Sequence, residues 1–287
     1  MKSYFKILFP SEPFNIRNID DEFKTELTTS KMFFDNYFFD LDSFEMEEKL
    51  ISNIDFKDEC RLIYRGWMLK PEQYKKLHSL ILKKSNGGIK LMNSPMEYEQ
   101  LHCFPLIYPE ISEFTPKIKI VRDINMLNYD MEYDFFLKDY VKSIKTINGV
   151  EKLSKSISVN ELKQKIDDFI EERGMLFTGN VIFKEFVDLK QFGDKTNEWR
   201  VFYSNGICIS KHQNTYLKTE DKPSDSLINE VGGAIGTRSN FFKVDFALTE
   251  SGEWIVIETG DGQVSGLCNG HELPFYVGLD NKFNKRK

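Results

Sequence analysis

A mixed α/β architecture is predicted for this 287-residue chain by three observations. Strand-like and helix-like stretches alternate from the N-terminus to about residue 115, as in a small α/β unit. A long amphipathic helix begins at Ser158, between two apolar strand-like runs. Two strand–turn–strand segments follow, one around Asn205-Gly206 and one around Ser251-Gly252. The length accommodates one large domain or two smaller ones.

Taken in order, residues 4–9 read as a strand stopped by Pro10, and residues 61–65 as another. Residues 11–60 between them are acidic and Phe-rich, with no clear period. Pro71 opens a helix carrying Tyr74, Leu77, Leu80 and Ile81 at helical spacing, with Gly87 or Gly88 as its stop. Ser94 caps a short helix that begins at Pro95 and runs to about Leu101. Pro105, Pro109 and Pro116 punctuate an extended connection, so the predicted boundary separates residues 1–116 from 117–287. Beyond it, residues 133–141 are an apolar run with Lys138 inside, and residues 142–156 read as an exposed, mobile, basic loop. Ser158 and Glu161 then form a capping box, Val159, Leu162, Ile166, Phe169 and Ile170 make an apolar stripe, and Gly174 closes the helix. A strand over 181–189 and a helix over 224–236, its end weakened by Gly232-Gly233, complete the outline with the two hairpins.

Composition excludes several functions. The net charge of −6 argues against a protein that wraps a nucleic-acid backbone. No apolar run reaches membrane-span length, and the N-terminal MKSYFKILFPSEPF is too short and interrupted for a signal peptide. Cys60, Cys103, Cys208 and Cys268 are scattered without a CxxC, as expected of free thiols in a reducing, cytoplasmic compartment. His78, His102, His212 and His271 form no pair at ligand spacing, which argues against a histidine-built metal site. No GxxxxGK[ST] loop and no Ser/His/Asp or Cys/His set is present.

The chemistry concentrates in the two hairpins. Counting outward from a tight turn at Ser251-Gly252 sets Asp245 opposite Glu258, and places Ala247 and Thr249 on one face with Val256 and Trp254. Directly opposed residues have Cβ atoms about 5 Å apart, and like charges there are destabilising. Either a hard cation such as Mg²⁺ joins the two carboxylates or a Lys or Arg neutralises them. Counting outward from Asn205-Gly206 pairs Arg200 with Lys211 and Glu198 with Gln213, all on one face. That face is either an anion site or a solvated ion-pair ladder.

Five segments in order are similar to the ATP-grasp superfamily, and in particular to its R2K clade. They are residues 136–143 (FLKDYVKS), 183–187 (FKEFV), 198–202 (EWRVF), 243–246 (KVDF) and 257–263 (IETGDGQ). The resemblance implies two α+β subdomains gripping nucleotide, a lid over 117–187 and a metal-binding part over 188–287. A small Rossmann-like domain would precede them. It implies ATP and Mg²⁺ as cofactors, with Lys138 and Lys142 reaching phosphates from the lid and Lys184 beside them. Glu185, Phe186 and Val187 would hold adenine, Glu198 the ribose or the metal side, and Lys211 would join the nucleotide site. Arg200 would face the γ-phosphate, making it and Lys138 the catalytic pair. Asp245 and Glu258 would bind Mg²⁺. The superfamily usually carries Asn two residues after that Glu; this chain has Gly260, leaving Asp261 as a replacement ligand.

The implied reaction is carboxylate–amine ligation through an acyl phosphate, on a small-molecule or peptide carboxylate and an amine. A kinase using the same fold and a non-catalytic ATP-binding protein are the other readings. Arg65, Arg122 and Arg238 are candidates for holding a substrate carboxylate, and residues 264–270 (VSGLCNG) for the wall of the acceptor site.

Overall fold

The computed structural model describes residues 4–122, 131–144, 149–214, 217, 219–267 and 270–284. The N-terminal part contains β1 (Phe5–Glu12), β2 (Asn15–Ile19), α1 (Lys24–Ser30), β3 (Asn36–Phe39), α2 (Leu41–Glu47), β4 (Cys60–Tyr64), α3 (Pro71–Lys84) and β5 (Ile89–Leu91). β3, β1, β4 and β5 lie side by side in parallel, and β2 folds back antiparallel on the end of β1. Ile7, Leu8 and Phe9 are fully buried, as a parallel strand covered on both faces requires.

β1 does not stop at Pro10. The Leu8 carbonyl, on the β4 side, accepts from Arg65, and by alternation Pro10 faces the same side beyond the last β4 partner. Its missing N–H therefore breaks no ladder bond. The elements between residues 11 and 60 span only three to seven residues each, too few for a period to show.

After β5 come α4 (Pro95–His102), capped by Ser94, and α5 (Phe104–Ile111). α5 replaces the extended connection expected from its prolines. Pro105 sits in the first turn, where no N–H is needed. Pro109 lies inside, but Phe104, Ile107 and Ile111 are buried in the core of the C-terminal sheet, and that burial overrides propensity.

A three-stranded antiparallel sheet follows, made of β6 (Ile118–Val121), β7 (Phe135–Lys138) and β8 (Val181–Glu185), with β8 central. α6 (Val159–Arg173), capped by Ser158, packs Leu162, Ile166 and Phe169 against Phe135, Val181 and Phe183. A short ribbon of β9 (Gln191–Phe192) and β10 (Lys195–Thr196) leads into the largest antiparallel layer. Its order is β12 (Ile207–Gln213), β11 (Glu198–Ser204), β13 (Phe241–Leu248), β14 (Trp254–Asp261). α5 and α7 (Asp225–Gly236) cover the face that carries Val201, Tyr203, Val244, Phe246 and Val256. α8 (Glu272–Phe283) sets Phe275, Tyr276 and Leu279 among Ile7, Phe9, Phe202 and Phe241, joining this layer to the N-terminal sheet.

α7 runs through Gly232-Gly233 to Gly236. A Cβ at Gly232 would lie 2.5 Å from the Gly206 carbonyl oxygen, so glycine is what lets the helix approach the β11–β12 turn.

Both hairpins carry a bulge that shifts the expected register. On β12 the bulged residue is Ile209, so Arg200 stands opposite His212 and not Lys211. A one-residue slip exchanges faces, and Lys211 turns to bond Asp225 of α7. In the other hairpin the turn is longer than a two-residue loop, with Thr249 bonded to Glu253, and Phe246 pairs with Val256. Trp254 and Val256 thus share the face of Phe246, opposite to the one counted from a tight turn. A bulge at Ile257 then restores the count, and Asp245 pairs with Glu258.

Candidate functional site

Between the β7–β8 face and the β13–β14 edge lies a cleft of about 970 Å³. Two lysines rise from its first wall. Phe136 pairs with Lys184 and Lys138 with Ile182, so Lys138 and Lys184 are diagonal neighbours on one face. Lys184 donates to the carbonyl of the bulged Ile257 at 2.8 Å, and Lys138 to the Asp139 carbonyl at 2.9 Å. Both ammonium groups stand over the Phe104 ring, at 4.3 and 5.0 Å from its centroid. Burial lowers Lys184 to about 7, helped by its neighbour Lys138, and lowers Lys138 to about 8.

The loop after β7 is shaped by Asp139, which the sequence reading passed over. Its buried carboxylate accepts the amides of Val141 and Lys142 at 2.7 Å each, Arg173 at 3.0 Å and the Thr178 amide at 3.2 Å. This turn aims Lys142 across the cleft, where it donates to Glu258 at 2.8 Å. Part of the adjacent basic loop, 145–148, lies outside the described residues.

Glu185, Phe186 and Val187 line the inner end of the cleft. The Glu185 amide donates to the Lys117 carbonyl and the Phe186 amide to that of Asp134. Among the described residues the Val187 amide has no such backbone partner. Glu198 also lines the cleft and accepts from the Thr196 hydroxyl at 2.7 Å.

Of the opposed carboxylates, Glu258 lines the cleft and Asp245 is buried behind it. Asp245 accepts a two-pronged contact from Arg200, Nε and Nη2 each at 2.9 Å, and a third from Lys243 at 2.7 Å. Burial alone would raise its pKa; the charges of Lys243 and Arg200 overcome this and hold it below the ordinary carboxylate value. Glu258 follows the same logic, with Lys243 and Lys142 holding it well below its usual range against the effect of burial. The neutralising cations weighed against a metal are thus present. Lys243, which the sequence reading left without a role, is the one that touches both carboxylates.

Asp261 does not join them. It pairs with Phe242 and so points to the opposite face from Glu258. There it is fully buried, bonded to Asn93 and to the amide of Gln263, and burial raises its pKa to about 6. Nor does Lys211 reach the cleft, its side chain lying against α7. Arg65 is buried against Glu26, Arg238 pairs with Glu110 at the surface, and Arg122 is exposed at the end of β6. Val264, Ser265 and Gly266 line a smaller pocket of about 130 Å³ beside the carboxylates, with Arg200, Lys243 and His102. Cys268 and Asn269 lie outside the described residues.

Asp245 and Glu258 supply hard oxygen donors that suit one oxygen-loving divalent cation. Among the described residues no group of three or more His, Cys, Asp or Glu side chains converges to hold a metal.

Two sheets closing on a cleft, with Lys138 and Lys184 on one wall and Glu258, paired with the buried Asp245, on the other, define an ATP-grasp fold. Residues 115–275 match the model of the ATP-grasp domain, R2K clade family 3, and the chain belongs to that family. Solved structures share the architecture at low identity. The ATP-grasp ligase PsnB complexed with minimal precursor superposes with a TM-score of 0.62 at 13% identity, covering 98% of this chain and 99% of that one. D-cycloserine synthetase DcsG gives 0.58 at 11%, covering 97% and 99%. D-alanine–D-alanine ligase from Bacillus anthracis, complexed with ATP, gives 0.56 at 12%, covering 98% and 96%. No curated protein sequence matches the chain.

Proposed function

We propose that this protein is an ATP-dependent carboxylate–amine ligase working through an acyl phosphate. The carrying observation is that Lys138, Lys184 and Glu258 line one cleft, with the buried Asp245 paired to Glu258 directly behind it. In this reading residues 117–187 form the lid and 188–287 the half that binds metal. The Val187 amide and the apolar side chains of Phe186 and Ile255 meet the adenine, and Glu198 the ribose. Lys138, Lys184 and Lys142 neutralise the triphosphate. Asp245 and Glu258 would hold Mg²⁺, which supplies charge neutralisation at the phosphate oxygens. Arg200 and the lysines orient the γ-phosphate for attack by a substrate carboxylate oxygen. The bond to the γ-phosphorus forms as the bond to the ADP oxygen breaks. An amine nitrogen then attacks the acyl carbon, inorganic phosphate leaves, and the amine loses a proton. The fold likeness to PsnB, solved with its precursor peptide, and to D-alanine–D-alanine ligase supports peptide or amino-acid-like substrates.

Two measurements test this. The protein incubated with Mg²⁺-ATP, a panel of carboxylates and hydroxylamine should release ADP and yield a hydroxamate, which traps an acyl phosphate. A stable phosphoester would instead mean a kinase, and ATP binding without ADP release across the panel a regulatory protein.

The second is proton linkage. Lys184 and Lys138 titrate at about 7 and about 8 in the free protein, and a bound triphosphate raises both. The bound state therefore holds more protons, so affinity weakens as pH rises through 7 to 8 and levels off below 7. Calorimetry near pH 8.5 in buffers of different ionisation heats should register uptake of between about one and two protons per ATP. Zero uptake would remove these lysines from the phosphate site.

A further inference from the structure

We infer that Lys243 is a built-in cation standing in for a second divalent metal, so that this centre takes one metal ion with its nucleotide. The inference rests on the nucleotide-site reading above.

Three features of the β13–β14 pair carry it. Lys243 is 3% exposed, and its ammonium bridges Asp245 Oδ2 at 2.7 Å and Glu258 Oε1 at 3.2 Å. It thus occupies the point between the carboxylates from which a second cation would touch both. Next, Gly260 is the cross-strand partner of Lys243, and it holds the position where the superfamily usually places Asn. A Cβ at 260 would lie 2.9 Å from Lys243 Cε and 3.3 Å from Ser265 Oγ. A side chain there would push the end of Lys243 off its present path between the carboxylates. The absent donor and the present cation are two sides of one packing solution.

The third feature is Asp261, the remaining carboxylate on β14, which is turned away and bonded to Asn93 and Gln263. Among the described residues no third acidic side chain converges with the pair. Charge balance agrees. Lys243 and Arg200 together offset Asp245 and Glu258, leaving no excess negative charge to draw in two divalent ions before nucleotide arrives. Binuclear sites hold their ions about 3.5–4 Å apart between shared oxygens, and the ammonium fills such a place. A lysine here neutralises charge at all times, and the site does not depend on free metal for that half of its work.

The test is metal stoichiometry, read without turnover. Mn²⁺ binding is followed by electron paramagnetic resonance with saturating adenylyl imidodiphosphate, whose binding is confirmed in parallel. Wild type should bind about one Mn²⁺ per chain, and Lys243→Met about two, because two carboxylates would then face an open position. Lys243→Arg should remain at about one. Should Lys243→Met fail to fold, Gly260→Asn serves instead, since it pushes Lys243 aside and restores a donor; it too should bind about two. Two Mn²⁺ in the wild type, or none with the analogue bound, overturns the inference. So does an unchanged count in the folded Lys243→Met or Gly260→Asn protein. Failure of the wild type to bind the analogue at all overturns the nucleotide-site reading itself, and the inference with it.

Discussion

Glu258→Gln is expected to lower the rate of Mg²⁺-ATP-dependent ADP formation by about 10²–10³-fold, the scale of losing one preorganised electrostatic partner. The glutamine keeps the shape of the side chain and removes its charge. That removes the charge that pairs with Lys142 and Lys243 and, in the proposed site, weakens a metal ligand. The Glu258 side chain is about one-third exposed, so water can solvate the released lysines and the fold should survive. Asp245→Asn should lose activity to a similar degree but also lower the melting temperature. Asp245 is nearly inaccessible, and Arg200 and Lys243 would be left facing a neutral amide. Steady-state kinetics beside a thermal melt separates the two effects. A Glu258→Gln protein within about fivefold of wild-type rate would remove the carboxylate pair from the chemistry.

How much of this was legible beforehand depends on the range of the forces involved. The α3, α4 and α6 helices announce themselves locally, through Pro71, the Ser94 and Ser158 caps and the apolar stripes. α5 does not, because the burial of Phe104, Ile107 and Ile111 that permits Pro109 comes from strands about a hundred residues away. The pairing of Asp245 with Glu258 was reached by counting, yet two deviations cancel to produce it: the longer turn and the bulge at Ile257. Where only one deviation occurs, at Ile209, the same counting places Lys211 on the wrong face. A bulge is a tertiary device, and nothing in the local residues marks it. The bulge at Ile257 also serves the site, because its carbonyl receives Lys184. The contacts of Lys243 are hidden for a related reason: its side chain passes over Gly260, its cross-strand partner, and that neighbour becomes visible only once the strands are paired.

Arg65→Met is expected to cost about 3–5 kcal/mol of stability, the price of leaving a buried carboxylate without its partner. Arg65 stands 2% exposed and makes a two-pronged contact with Glu26, Nε to Oε1 at 2.6 Å and Nη2 to Oε2 at 3.2 Å. Its remaining prong donates to the Gly262 carbonyl at 2.6 Å and to that of Gln263 at 3.2 Å. Tyr276 of α8 completes the cluster by donating to Glu26 at 2.8 Å, and the guanidinium lies over the Phe275 ring at 4.9 Å. One side chain therefore ties β4 to α1, to α8 and to the segment leaving β14. Lysine would not replace it, since a single ammonium cannot hold both a carboxylate fork and two carbonyls. The role of Arg65 is architectural, so Arg65→Met should depress the denaturation midpoint strongly, while nucleotide affinity in the surviving folded fraction changes little. The Glu26→Gln/Arg65→Met double variant should be less destabilised than the two single costs added, because the orphaned charge is gone. Additive losses in that cycle would mean that Arg65 acts through its carbonyl contacts and ring packing, and not through the ion pair.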